Sequence, residues 1–243
     1  MPGAKESFKG IIRKAANALG YEIVRYDLAS PRFRLARLLA NHRIDVILDV
    51  GANAGQFGLD MREIGFSGRI VSFEPLAEAF GRLQQAARGD GKWQTVNIGL
   101  GDQDGQAIIN VAANSQSSSF LPMLTAHSEA APESKYVGEQ SAEIRRLDGV
   151  FSTYVRPDTR VFLKIDTQGF EKKVLQGAEK VLEQIELVQV ECSFVPLYEG
   201  AVLIEEMIAF LRGAGFDPVE TMPAFHHQES AHLMQADILF ARR

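Results

Sequence analysis

Val46-Ile-Leu-Asp-Val-Gly-Ala-Asn-Ala-Gly-Gln-Phe-Gly58 is the stretch on which the reading of this chain turns. Its first half is an apolar run broken only by Asp49, the pattern of a strand buried on both faces of a parallel sheet. In its second half Gly51 and Gly55 bracket Asn53, and an amphipathic run from Gln56 to Ile64 follows, with Phe57 at its start. Strand, glycine turn and helix in succession make a nucleotide-type ligand site, because glycine lets a ligand approach the backbone and a helix start offers free N–H groups. Asn53 stands where a dinucleotide fingerprint has its second glycine, so the G-x-G-x-x-G needed for a pyrophosphate is missing. A smaller cofactor fits better.

Working outward, Arg69-Ile-Val-Ser-Phe-Glu-Pro75 reads as a second strand that ends in an acid. Glu74 lies about twenty residues past Gly51, the spacing at which an adenosine ribose meets a carboxylate. The competing reading makes Glu74 a cap for a helix that has Pro75 in its first turn. Beyond a helix from Leu76 to Arg88, Trp93–Ile98 reads as a third strand, closed by Gly99-Leu-Gly-Asp-Gln-Asp-Gly105. Gly101 and Asp102 can line the adenine pocket there; alternatively the Asp-Gly signals make turns and 106–111 pairs back as a hairpin.

From Ala112 to Ala142 periodicity fails, which predicts a long surface excursion facing the substrate, with Ser117–Phe120, Ser118 among them, as its ordered base. The next informative stretch is Val161-Phe-Leu-Lys-Ile-Asp-Thr-Gln-Gly-Phe-Glu171. A buried strand here delivers Lys164, Asp166, Gln168 and Glu171 at its end and runs into a helix from Lys172 to Gln184. Lys164 and Asp166 are two apart and share a face, and a buried ammonium needs a carboxylate, from Asp166 or from Glu191 on the following strand. A structural ion-pair network would leave the same signature; the position at a strand's carboxyl end favours function. Ala201–Arg212 is a helix, and 215–219 and 236–240 are the last strands. Between them His226-His-Gln-Glu-Ser-Ala-His232 matches no metal spacing, so it reads as a polar loop over the pocket mouth and no metal site is assigned.

The 243 residues are 46% hydrophobic, enough for one large domain or a domain with an extension. Residues 1–43 hold nine Lys or Arg against three Asp or Glu, and the remainder seventeen against twenty-eight, so a net charge of -5 conceals a basic beginning and an acidic body. Phe8, Ile11, Ile12, Ala15, Ala16 and Leu19 recur at helical spacing, and Ser30-Pro31 starts a second helix. The expected division is a helical extension over 1–43 and a main domain over 44–243. No apolar run reaches the length of a membrane span, and the N-terminus has no apolar signal core, so a soluble, cytoplasmic protein is expected. The single cysteine, Cys192, sits in an apolar strand and reads as a packing residue.

Ile47–Phe57, Phe73-Glu-Pro75, Leu100-Gly-Asp102 and Leu163–Glu171, in this order and at these spacings, make the chain from about Ile44 onward similar to the FkbM family of S-adenosylmethionine-dependent methyltransferases. The resemblance implies an α/β, Rossmann-like class I methyltransferase fold: a mostly parallel seven-stranded sheet, its last strand antiparallel, with helices on both faces. It implies S-adenosyl-L-methionine as cofactor, with Asp49, Gly51, Asn53, Gly55 and Phe57 around the methionine end, Glu74 and Pro75 at the ribose, Gly101 and Asp102 by the adenine, and Ser118 and Asp166 completing the pocket. Gln168 stands where the family often has Glu. Moving a methyl from a sulfonium to a hydroxyl requires alignment and a base, for which Asp166 comes first, then Glu191 and His226, with Lys164 beside them. The expected acceptor is a sugar, glycan or other small molecule; no nucleic-acid partner is expected, and a homo-oligomer is allowed. The rivals are an NAD(P)-dependent oxidoreductase, which should keep glycine at position 53, and a non-catalytic protein that binds S-adenosylmethionine.

Overall fold

The computed structural model describes residues 3–243, with side chains from residue 10. The chain divides into two compact units, Met1–Asn41 and His42–Arg243. The first contains helices α1 (Gly3–Ala18) and α2 (Pro31–Asn41). Ser30 caps α2, its Oγ accepting the Phe33 N–H at 3.4 Å, with Pro31 at the first helical position where its missing N–H costs nothing.

The second unit is built on a seven-stranded sheet. In chain order its elements are β1 (Val46–Val50), α3 (Gln56–Glu63), β2 (Arg69–Phe73), α4 (Ala77–Ala86), β3 (Trp93–Val96), β4 (Gly99–Leu100), β5 (Gly105–Ala112), α5 (Thr125–Ala130), β6 (Tyr136–Arg145), α6 (Leu147–Tyr154), β7 (Val161–Ile165), α7 (Glu171–Gln176), β8 (Ile185–Ser193), α8 (Ile204–Gly213), β9 (Phe216–His226) and β10 (Leu233–Arg242). The sheet order is β3-β2-β1-β7-β8-β10-β9. Pairings are parallel from β3 to β8, and β10 runs antiparallel to both β8 and β9. This is the sheet the family resemblance implies.

Burial explains the apolar runs. Every residue of β1 and β7 is buried, and Leu48, Phe73, Leu163, Val188 and Phe240 join one core with Leu175, Leu211 and Phe216 from the covering segments. Side chains of this size each contribute ~1.5–3 kcal/mol when fully buried. Close packing also sets Gly58: a Cβ there would lie 2.1 Å from the Trp93 ring, so α3 approaches β3 only because that position is bare. Pro218 and Pro223 lie in β9, the edge strand, each beside a register shift in its pairing with β10, where a missing N–H is tolerated. No helix among the described residues is long and apolar enough to cross a membrane.

Four expectations need correction. Residues 106–111 do not pair back on the third strand; β5 pairs antiparallel with β6, thirty residues on, and β4 joins them in a separate three-stranded sheet. The tract from Ala112 to Ala142 is therefore not a long surface excursion. It holds α5 and most of β6, and Ser119, Ala130, His127 and Ser134 are buried. Its apolar side chains Phe120, Leu121, Met123 and Tyr136 pack from irregular connections and short elements, which leave no regular period in the sequence. The helix expected over 172–184 ends at Gln176, followed by a turn and a short 3-10 segment at Leu182–Gln184. Finally, β9 runs seven residues beyond Val219, because its pairing with β10 outweighs its two prolines and polar face.

Candidate active site

The carboxyl ends of β1, β2, β7 and β8 and the amino-terminal half of the antiparallel β10 surround a cavity of about 350 Å³. At its rim the chain leaves β1 through Gly51 at φ +77 and Asn53 at φ +46, with Gly55 at φ +89. Gly51 is required twice over: its φ is left-handed, and a Cβ would fall 1.8 Å from the Asp166 carbonyl oxygen. The Gly51 and Ala52 N–H groups both donate to Phe73 O at 3.1 Å, which ties the turn to the end of β2. There Glu74 points back into the turn. Its Oε2 accepts the Asn53 N–H at 2.8 Å and its Oε1 the Leu76 N–H at 2.9 Å. The helix that Glu74 was expected to cap begins only at Ala77, after Leu76, so Glu74 braces the turn before α4 while forming a wall of the cavity. Each oxygen keeps a further lone pair for a ligand. Burial, countered in part by those two N–H bonds, raises its pKa from 4.5 to about 7.

The inner end is a polar row in register across the sheet. Ser72, Asp49, Lys164 and Gln189 are successive cross-strand neighbours on β2, β1, β7 and β8. Trp93 Nε1 donates to Ser72 Oγ at 3.0 Å, and Ser72 Oγ donates to Asp49 Oδ2 at 2.9 Å. Lys164 Nζ lies 3.3 Å from Asp49 Oδ1, 3.6 Å from Asp166 Oδ2 and 5.4 Å from the centre of the Phe57 ring. The sequence proposed Asp166 or Glu191 as the partner of Lys164; the nearest carboxylate is Asp49, which register places directly beside it. Burial alone would depress the ammonium, but the charges of Asp166, Asp49 and Asp237 outweigh it and hold Lys164 above its ordinary value.

Asp166 keeps 35% of its side chain exposed to the cavity, whereas Asp49 is fully buried. Next to Asp166, Gln168 Nε2 donates to Asp166 Oδ1 at 2.9 Å and to Glu191 Oε2 at 2.8 Å. Asp237, opposite Glu191 in the β8–β10 register, also lines the cavity, and burial raises its pKa from 3.8 to about 6.

Of the residues singled out in the sequence, Gly51, Asn53, Phe57, Glu74, Pro75, Ser118, Lys164, Asp166 and Glu191 line this cavity. Asp49 lies beneath it. Gly55 packs against Leu83, Ala86 and Trp93 instead. Gly101 and Asp102 are not in the wall: Gly101 is closed in by Ile144 and Phe170, and Asp102 binds Lys173 Nζ at 2.7 Å, because β4 turns away into the second sheet. Ile98, Gly99 and Leu100, just before them, reach the cavity. His226 is exposed at the end of β9 and outside the cavity, since the extension of that strand carries it away. Gln189 and Asp237 were missed. A signal existed, for each is a polar residue inside an otherwise apolar strand, as Asp49 is. Cys192 is buried, and burial pushes its thiol up, away from a nucleophile's range. Among the described residues no group of three or more His, Cys, Asp or Glu is arranged to hold a metal ion.

The donor set suits a nucleoside carrying a cationic group. Glu74 offers free lone pairs to a vicinal diol, and Asp166, Glu191 and Asp237 face a cavity whose only cation, Lys164, is already paired.

Comparison with known proteins agrees with this chemistry. Residues 49–218 match the model of the methyltransferase FkbM domain. The methyltransferase sdnD of Sordaria araneosa is 26% identical over 204 residues, covering 70% of this chain and 73% of that protein. The crystal structure of methyltransferase FkbM from Methylobacillus flagellatus superposes with a TM-score of 0.50 at 12% identity, over 80% of this chain. This chain spans 43% of that longer one, so the likeness speaks for the fold. With the matched segment running from Asp49 through β7 and β8 into β9, and so through the cavity wall just described, the chain belongs to the FkbM methyltransferase domain family.

Proposed function

We propose that this protein is an S-adenosylmethionine-dependent O-methyltransferase whose acceptor is a hydroxyl of a sugar, glycan or secondary metabolite, acting in the cytoplasm without a nucleic-acid partner. Residues 44–243 form the catalytic domain and 1–43 a helical extension. The observation that carries the reading is the pairing of two acidic positions in one cavity: Glu74 anchored at the rim by two backbone N–H groups, and Asp166 open to the inner end beside an ammonium that Asp49 already balances. Bound there, S-adenosylmethionine supplies an electrophilic methyl group on a sulfonium. Glu74 accepts the ribose hydroxyls, and the carboxylates at the inner end favour the positive charge. Asp166 would accept the proton that an acceptor hydroxyl gives up when it takes the methyl group. Placement of the two reactants supplies ~7–11 kcal/mol of the barrier reduction. Methyltransferase membership removes the nicotinamide-dependent alternative, which also lacks its glycine at position 53.

Cofactor binding is tested by thermal shift. At a hundredfold excess over its dissociation constant, S-adenosylmethionine should stabilise the protein by about 2.7 kcal/mol, and S-adenosylhomocysteine should also stabilise it. A panel containing NAD and NADP serves as control. An unchanged melting temperature with saturating S-adenosylmethionine would remove the assignment. Binding with no transfer of a trideuteromethyl label into any component of a metabolite extract would instead indicate a non-catalytic binder.

A further inference from the structure

One amide organises the inner end of the cavity. Gln168 lies in the left-handed region at φ +56 without being glycine, a conformation that costs ~1–3 kcal/mol unless its surroundings impose it. Two groups from outside the β7–α7 turn do so. Ser119 Oγ donates to the Gln168 carbonyl oxygen at 2.7 Å, and the Tyr198 hydroxyl donates to Gln168 Oε1 at 2.8 Å. The amide's orientation follows from its neighbours. The Asp166 carboxylate can only accept, so Nε2 faces it, and Oε1 is left to a phenol that burial keeps protonated.

The same Nε2 reaches Glu191 Oε2, which also accepts from Gln235 Nε2 at 2.8 Å. The charged groups acting on Glu191 are Lys164 on β7, Asp166 just past its end, Glu171 on α7 and Asp237 on β10; burial first, then the three carboxylates, push it well above the ordinary carboxylate range, and Lys164 opposes them.

We propose that Gln168 is a positioning residue for methyl transfer: held by Tyr198 and Ser119, its amide engages one oxygen each of Asp166 and Glu191, so that Glu191 Oε1 and Asp166 Oδ2, the latter also 3.6 Å from Lys164 Nζ, are aimed at the acceptor. The proposal rests on the reading of Asp166 as the base. It gives Tyr198, a residue of the β8–α8 connection, a role in the reaction through Gln168.

The test uses the full-length protein with ¹³C-labelled glutamate carboxyls, the Glu191 signal being assigned by its loss in Glu191→Gln, with melting temperature in parallel. Tyr198→Phe keeps the packed ring but removes the donor to Oε1. With Oε1 unheld, the Nε2 bond to Glu191 loosens and stabilises its carboxylate less, so the Glu191 midpoint should rise by about one pH unit. Gln168→Met, which keeps length and loses the amide, should raise it as well. A purely structural role predicts lower melting temperatures in both variants with the Glu191 midpoint unmoved, and that result overturns the proposal, as does a downward shift. Should the midpoint rise while Asp166→Asn keeps wild-type turnover, the positioning of the carboxyl pair stands and the base assignment falls.

Discussion

Asp166→Asn is expected to lower the rate of methyl transfer by ~10²–10⁴-fold, the usual worth of a positioned base, while S-adenosylmethionine affinity stays close to wild type. A base acts on the proton that moves in the transition state, so its loss appears in turnover rather than in cofactor binding. The substitution is nearly isosteric, and Lys164 keeps Asp49 at 3.3 Å, so the buried ammonium retains a counter-charge and the fold should survive. Asp49→Asn provides the contrast. It strips the nearest, fully buried carboxylate from Lys164 and should destabilise the protein by ~3–5 kcal/mol. Label transfer from a trideuteromethyl donor, calorimetric titration of the cofactor and thermal melting, measured on both variants, separate the roles. An Asp166→Asn protein that melts early and transfers label at the wild-type rate once folded would show that Asp166 serves only the ion pair.

Glu74→Ala should weaken S-adenosylmethionine by ~1.5–3 kcal/mol, since charge-assisted hydrogen bonds in a desolvated pocket are lost together. That corresponds to roughly ten- to hundredfold in the dissociation constant. The side chain also holds the Asn53 and Leu76 N–H groups, so Glu74→Gln is the more discriminating variant: it fills the same space but must turn an NH₂ toward one of those donors. The raised pKa adds a pH signature. The ribose hydroxyls donate to the ionised carboxylate, so affinity should fall as pH drops below about 7, approaching tenfold per unit, and this dependence should vanish in Glu74→Gln. Stability without ligand moves the other way. The folded protein holds the Glu74 proton to about pH 7 and the unfolded chain only to about 4.5, so this group's contribution declines as pH rises through that window. A wild-type affinity that is flat from pH 8 to about 5.5, well below the folded value of Glu74, would argue against a ribose carboxylate at this position.

Both sites were legible in the sequence because each depends on local order. Strands buried on both faces are written as unbroken apolar runs, and the polar residues ending them, Glu74 and Asp166, stand out against that background. The glycine turn was legible for the same reason, since a left-handed backbone beside a neighbouring carbonyl leaves few residues to choose from. Less visible were the roles of Asp102 and His226. Both occupy plausible positions along the chain, yet the chain has left the main sheet for the second one by β4, just before Gly101, and β9 continues far enough to carry His226 out of reach. Whether a strand ends or continues depends on its partner, and the partners of β5 and β9 are β6 and β10.

By itself, the sequence marked the parallel strands of the main sheet, the glycine turn after β1, the acid that follows β2 and the family, because periodicity, spacing and backbone-restricted residues are properties of contiguous chain. Only the tertiary structure decided that Lys164 pairs first with Asp49, that Asp237 stands across from Glu191, and that Tyr198 and Ser119 converge on Gln168. Those contacts join residues 30 to 115 positions apart, and their geometry is set by strand register and loop packing, which no local pattern encodes.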